Sequence, residues 1–236
     1  HFGASFLARK LAPEYGITYL TPGAALFKKG HYGRVVGEAF EDMKEFAALV
    51  KERKRQGADF IKIMTTGIMD FQTDHTLTGR ALREKEVFEM VHIAHEEGFL
   101  VMSHTNGARA CEIAAACGAD SLEHGNFQDE QSLRVLAECG TLWVPTVVTV
   151  KNLIGCGRYP DRILERIWER TGKMLKAARA LGVSLALGSD AGACMVGHGS
   201  GLLDEFRAFQ EVFPEDKTLI SELERGQRKL ECFVRQ

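Results

Sequence analysis

The sequence contains no apolar run near the ~20 residues that a membrane-spanning helix needs. Its longest apolar runs, FLVMS at 99–103 and TLWVPTVVTV at 141–150, are short and run into polar residues, which excludes a helical membrane protein. It has no excess of one charge: 30 Lys+Arg against 32 Asp+Glu leave −2, with no dense basic cluster. Nucleic acid and anionic membrane surfaces are thereby excluded as partners, because both demand a basic footprint. There is no C-x-x-C pair, and the six cysteines (Cys111, Cys117, Cys139, Cys156, Cys194, Cys232) lie mostly in or beside apolar segments. That pattern fits reduced thiols in a cytoplasmic protein and excludes a disulfide framework. No Pro/Ser-rich linker or low-complexity stretch divides the chain, so residues 1–236 read as one domain.

What is present is an ordinary globular composition, 45% hydrophobic and 26% charged over 236 residues. A chain of that length can bury about 70–75% of its unfolded surface in a single core without staples. Its most informative feature is a repeated phrase: a Gly closes a helix-like stretch, a short apolar run follows, and a polar or breaker residue ends it. The instances are Gly16-ITYLTP, Gly57-ADFIKIMTT, Gly98-FLVMSH, Gly118-ADSLEH, Gly140-TLWVPT and Gly182-VSLALGSD. Gly suits the left-handed position just past a helix, and such runs read as strands buried on both faces. Between them lie helical periods. Residues 37–56 align Phe40, Met43, Ala47 and Val50; residues 83–97 align Val87, Met90, Val91 and Ala94; residues 160–181 align Ile163, Ile167, Leu175 and Ala178. Alternating strand and helix predicts βα units on a parallel sheet. A doubly wound sheet and a (β/α)₈ barrel both satisfy the pattern, and polar residues at the ends of several strands favour the barrel.

Lys62, inside Phe60-Ile61-Lys62-Ile63-Met64, should lie within the fold, where a lone ammonium is costly. Two readings stand. The lysine pairs with a core carboxylate, or its amine, with a solution pKa of about 10.4, is deprotonated by burial and takes up carbon dioxide as a carbamate that bridges two metals. His104 and His124 each close a strand run at the same offset from the preceding Gly run. Adjacent parallel strands lie about 4.8 Å apart, so both imidazoles can reach one cation with Zn–N distances of about 2.0–2.1 Å. Asp190, after the run VSLAL, reads either as a turn residue or as a weak metal ligand and general base.

Together the pieces Ala58-Asp59-Phe60-Ile61-Lys62-Ile63, Ser103-His104, Glu123-His124-Gly125 and Gly188-Ser189-Asp190-Ala191-Gly192 resemble the amidohydrolase superfamily, in particular its imidazolonepropionase-like and Xaa-Pro dipeptidase-like branch, and occur in the family's order. The resemblance implies a (β/α)₈ TIM-type barrel of which about six βα units, strands 3–8, are present. It also implies a binuclear divalent-metal site, zinc in type, in which Lys62 is the carboxylated bridging lysine, His104 and His124 are ligands, and Asp190 is both ligand and base. The implied activity is hydrolysis of a C–N amide bond, in a dipeptide or N-acyl amino acid, by metal-activated hydroxide. The family's strand 1 H-x-H is missing, and no H-x-H occurs anywhere. The chain also begins with His rather than Met. An N-terminally incomplete enzyme, a chain with a removed leader, and a degenerate barrel acting as a binding or assembly module all stay open. An opened barrel would expose apolar edges that invite homo-oligomers.

The likeness makes His31 and Tyr32, in the loop Phe27–Gly33, candidates for substrate contact, along with His198 in Gly197-His198-Gly199. The loop Gly67–Gly79 is a candidate cover for the mouth. The H-x-x-H of His92 and His95 falls on a helix expected outside the sheet and is not read as a metal site. The Gly-rich stretch 188–201 leaves a phosphate-binding isomerase as an alternative.

Overall fold

The chain folds around a parallel sheet whose strands are too short to stand alone and are held by helices packed along one face. A computed structural model describes residues 4–233. Helix α1 (Ala4–Leu11) runs into a 3-10 turn (Ala12–Tyr15), and strands β1 (Ala25–Lys28) and β2 (Gly37–Phe40) follow, then α2 (Met43–Gln56) and β3 (Ile61–Met64). Next come α3 (Glu84–Glu96), β4 (Val101–Thr105), α4 (Ala108–Ala116), β5 (Ser121–His124), α5 (Glu130–Cys139) and β6 (Leu142–Val144). The C-terminal part is helical: α6 (Val148–Lys151), α7 (Asp161–Ala180), α8 (Gly201–Val212) and α9 (Leu219–Glu231).

The six strands lie in the order β2-β1-β3-β4-β5-β6, every pair parallel. The expected α/β parallel architecture is therefore present. Closure into an eight-stranded barrel is not seen among the described residues, where β2 forms one edge of the sheet. At the other edge, Leu185 adds a single parallel bridge to Trp143, with Trp143 N donating to the Ser184 carbonyl and Ala186 N donating to that of Trp143.

Three expectations need correction. Residues 17–22 are not a strand. Ile17 and Tyr19 are exposed, and Thr21 instead receives Asp59 N on its carbonyl and donates its own N–H to the Asp59 carboxylate at 2.8 Å. The strand is the next run, ALFK, whose Leu26 and Phe27 are buried. The helical period at 37–56 starts late, because Gly37–Phe40 pairs along β1 at four positions. Asp42 then accepts the Glu45 N–H and opens α2. The run at 183–187 contributes one bridge rather than a full strand.

Alternation divides the sheet between two environments. Leu26, Ile61, Ile63, Val101, Leu122 and Trp143 face the helices and join Phe46, Val50, Val87, Met90, Leu133 and Leu136 in the main core. On the other, inner face, Ala25, Phe27 and Met64 form a small cluster, while Leu142, Val144 and Ala186 are covered by Leu230 of α9. The Gly67–Gly79 loop is a packed hairpin rather than an open flap. It carries a Met69–Leu77 antiparallel bridge, buries Met69 against Phe127, Val150 and Leu164, and ties Asp74 to Arg170 of α7 at 3.1 Å. All six thiols are free. Among the described residues no helix is long and apolar enough to cross a membrane.

Candidate active site

Strand register decides which side chains share the inner face. Lys62 is level with Met102 and Met102 with Ser121; Met64 is level with His104 and His104 with Glu123. Residues level on parallel strands point the same way, so Lys62, His104, Ser121 and Glu123 all face inward. The Lys62 ammonium is ion-paired with the Glu123 carboxylate, and Ser121 Oγ donates to the other carboxylate oxygen at 2.6 Å. Of the two readings of Lys62, the core ion pair is the arrangement present.

His124 follows Glu123 and, by alternation, would point toward the helices. Its φ of 69°, continued by Gly125 at 62°, turns the chain at the strand end and brings the imidazole back. The rings of His104 and His124 meet edge to face with centroids 4.7 Å apart. His104 is buried, and its Nε2 donates to the Gly67 carbonyl at 3.2 Å. A carbonyl only accepts, so the proton sits on Nε2 and Nδ1 is free. His124 uses Nδ1 toward Thr146 Oγ1 at 2.7 Å, and its Nε2 has no hydrogen-bond partner among the described residues. Burial first, then the neighbouring His124 and the Lys62 charge, hold the His104 pKa well below the ordinary imidazole range. Burial and the Lys62 charge push that of His124 down to about 3. Both rings are therefore neutral near pH 7.

The rim adds Tyr32, whose ring centroid lies 5.0 Å from that of His104. Burial and the nearby Asp190 charge raise its hydroxyl pKa. Asp190 sits in a left-handed turn, φ 52°. It is exposed as a residue, yet the surrounding protein desolvates its carboxyl enough to raise the pKa against the opposing pull of Lys62. Of the residues singled out from the sequence, Lys62, His104, His124, Tyr32 and Asp190 are thus gathered, by contact or by mutual charge. His31 instead directs Nδ1 to the Arg80 carbonyl at 3.1 Å, and His198 is exposed beside Gly192. Neither touches the histidine pair among the described residues. His92 pairs with Glu96 and His95 with Asp120, so the H-x-x-H forms no joint site.

No family model matches the sequence. An uncharacterised protein of Mycobacterium tuberculosis is 29% identical over 180 residues, covering 73% of this chain and 47% of its own length. Ochratoxinase of Aspergillus niger is 26% identical over 155 residues, covering 64% of this chain and 32% of its own. The chain thus spans about half or less of these curated relatives. The crystal structure of A. niger ochratoxinase matches with a TM-score of 0.76 at 19% identity, over 94% of this chain and 57% of that one. That of a Xaa-Pro dipeptidase with methionine bound in its active site matches with a TM-score of 0.74 at 20% identity, over 97% and 61%. The chain shares the fold of these solved structures.

Within this fold, the donor chemistry suits a divalent cation in one respect and falls short in another. Two neutral imidazoles at adjacent strand ends each have one nitrogen held by a protein partner and one left over, the arrangement that orients metal-binding histidines. No three His, Cys, Asp or Glu side chains gather closely enough to hold a metal among the described residues. Other supporting residues escaped the sequence reading. Asn106 is buried; its Nδ2 donates to the same Gly67 carbonyl at 3.2 Å, and its Oδ1 accepts from Asn126 N at 3.0 Å. Trp143 Nε1 donates to the His124 carbonyl at 2.9 Å. Glu123 was visible as part of the Glu-His-Gly phrase; its pairing with Lys62 is set by register, which the phrase does not encode.

Proposed function

We propose that this chain is a divalent-metal hydrolase of C–N amide bonds, zinc in type, acting on dipeptides or N-acyl amino acids. The observation that carries this reading is the His104–His124 pair: neutral, edge to face at 4.7 Å, each with an unused ring nitrogen. The names of the matching proteins, an ochratoxinase and a Xaa-Pro dipeptidase, support the reaction class. His104, His124 and Asp190 would hold the cation, joined by Lys62 once it leaves Glu123 and is carboxylated. A cation there supplies Lewis acidity to a substrate carbonyl and to water.

The chain's own groups do the rest. Asp190, its pKa raised by desolvation, accepts a proton from the attacking water and delivers it to the amine nitrogen as the C–N bond breaks. Tyr32, its hydroxyl kept protonated, donates a hydrogen bond to substrate from above His104. His31 and His198, on the loops after β1 and after Asp190, are assigned to the outer parts of the substrate.

The absence of a three-donor cluster among the described residues favours a second reading, a non-catalytic barrel that binds or assembles. Elemental analysis of protein made with zinc and bicarbonate, beside Lys62→Ala and His104→Ala, separates the two. Bound metal that both substitutions reduce, with turnover of a dipeptide panel lost in Lys62→Ala, supports the hydrolase. A folded chain that takes up no metal would reject metal binding by residues 1–236 alone, the outcome expected of the module and of an enzyme whose remaining ligands lie outside these residues.

A further inference from the structure

Glu205 lies on α8, the helix that follows Asp190, and is fully buried. Its neighbours along the buried face of α8, Ala208, Phe209 and Val212, are apolar, and no Lys, Arg or His pairs with it among the described residues. A buried carboxyl without a cation is costly, so it needs a compensating task. That task is visible. One carboxyl oxygen accepts the N–H of Val147 at 3.0 Å and the other that of Val148 at 2.9 Å.

Those two amides belong to the turn between β6 and α6. The residue immediately before them, Thr146, is β-branched and left-handed, φ 48°. Such a conformation is strained for a β-branched residue and persists only where its surroundings impose it. Thr146 is also the residue whose hydroxyl meets His124 Nδ1 at 2.7 Å. A chain of contacts therefore runs from the middle of α8 to one ring nitrogen of the histidine pair.

We propose that Glu205 is a positioning residue for His124: by clamping the Val147 and Val148 amides it holds the left-handed turn at Thr146, and the Thr146 hydroxyl then holds His124 by its Nδ1 in one ring orientation and one tautomer, with Nε2 left to the site. The consequence for metal rests on the proposed function above; the tautomer of His124 does not.

The test uses the full chain with ¹⁵N-labelled histidine. Long-range ¹H–¹⁵N spectra of the metal-free protein read the His124 tautomer, and a zinc titration reads affinity. Glu205→Gln is the informative variant when compared above about pH 8, where the wild-type carboxyl is ionised and accepts on both oxygens, because the Gln amide oxygen can accept one N–H while its NH₂ opposes the other. Thr146→Val removes the hydroxyl and Thr146→Ser keeps it. Wild type and Thr146→Ser should show the same single tautomer; Glu205→Gln and Thr146→Val should show mixed tautomers and bind zinc about 10–100-fold more weakly. The double variant should bind no more weakly than Thr146→Val alone, because the two residues act in series. A wild-type His124 spectrum in Glu205→Gln, or fully additive losses in the double variant, would overturn the proposal. Tautomer changes as expected in a protein that takes up no zinc would support the positioning role and reject the metal reading. Should Glu205→Gln fail to fold, Glu205→Asp, with both acceptors on a shorter arm, carries the same comparison.

Discussion

The ammonium of Lys62 and the carboxylate of Glu123 bind each other across the inner face of the sheet, with strand β4 between them and 61 residues of sequence separation. Both side chains are largely shielded, 19% and 12% exposed, so removing either leaves the other charge poorly hydrated and unpaired. Lys62→Met and Glu123→Gln should each lower the unfolding free energy by about 1–3 kcal/mol. The double variant should lose less than the sum, with a coupling of about 0.5–3 kcal/mol. Urea denaturation of the four proteins measures this, and strictly additive losses would show that the pair does not act as one.

Asn106 ties three strand ends together. It holds the Gly67 carbonyl that His104 also uses, and it caps the Asn126 N–H beyond β5. Asn106→Ala should cost about 1–3 kcal/mol, the range for stranding a buried polar group. At about 2–4 °C per kcal/mol for a chain of this size, the melting temperature should fall clearly. Asn106→Asp keeps the acceptor for Asn126 and loses the donor to Gly67, so it should fall between the two. An Asp variant as stable as wild type would mean that the Gly67 contact contributes nothing.

The strands at 61–64, 101–105, 121–124 and 142–144 lie where the Gly-plus-apolar phrase places them, because each run buries a helix-facing side against the main core. The same phrase fails at 17–22, where Ile17 and Tyr19 find solvent instead of a partner. It also hides ALFK, whose apolar residues run straight into Lys28 and Lys29; Lys28 is accommodated only through an ion pair with Glu86. Strand β2, with its Glu38 exposed and Phe40 buried, exists through its ladder to β1 and has no local signal. His104 and His124 were legible because strand ends collect reactive groups. Thr146, Asn106 and Glu205 were not, since each matters through a loop conformation or a contact between elements distant in sequence.

The turn after β5 sets a steric condition on the site. A Cβ added to Gly125 would lie 2.6 Å from Trp143 Nε1 and 2.7 Å from Gln128 Nε2, at a backbone φ of 62°. Trp143 is buried and cannot retreat without losing its bond to the His124 carbonyl. Gly125→Ala should therefore destabilise by about 2–4 kcal/mol, combining left-handed strain with overpacking. Trp143 fluorescence should shift as the indole is displaced. An unchanged emission spectrum together with wild-type stability would mean that the turn has room the contacts do not suggest.

Glu205 also gives stability a pH dependence of definite sign. Burial pushes its carboxyl up to about 8, against the partial relief of two backbone N–H donors, whereas in the unfolded chain it titrates near ~4.3. Below the unfolded value both states are protonated and the group is neutral to stability differences. Between the two values the folded state holds a proton that the unfolded state has released, so stability falls as pH rises. The loss is on the order of 5 kcal/mol at most, complete above the folded value. Glu205→Gln cannot titrate, so the stability advantage of wild type over this variant should shrink steadily from about pH 5 to about pH 8. Taking the difference between the two proteins cancels the titration of groups they share. A difference that stays flat across that window would place the Glu205 pKa in the ordinary range and mean that the Val147 and Val148 amides offset the cost of burying its charge.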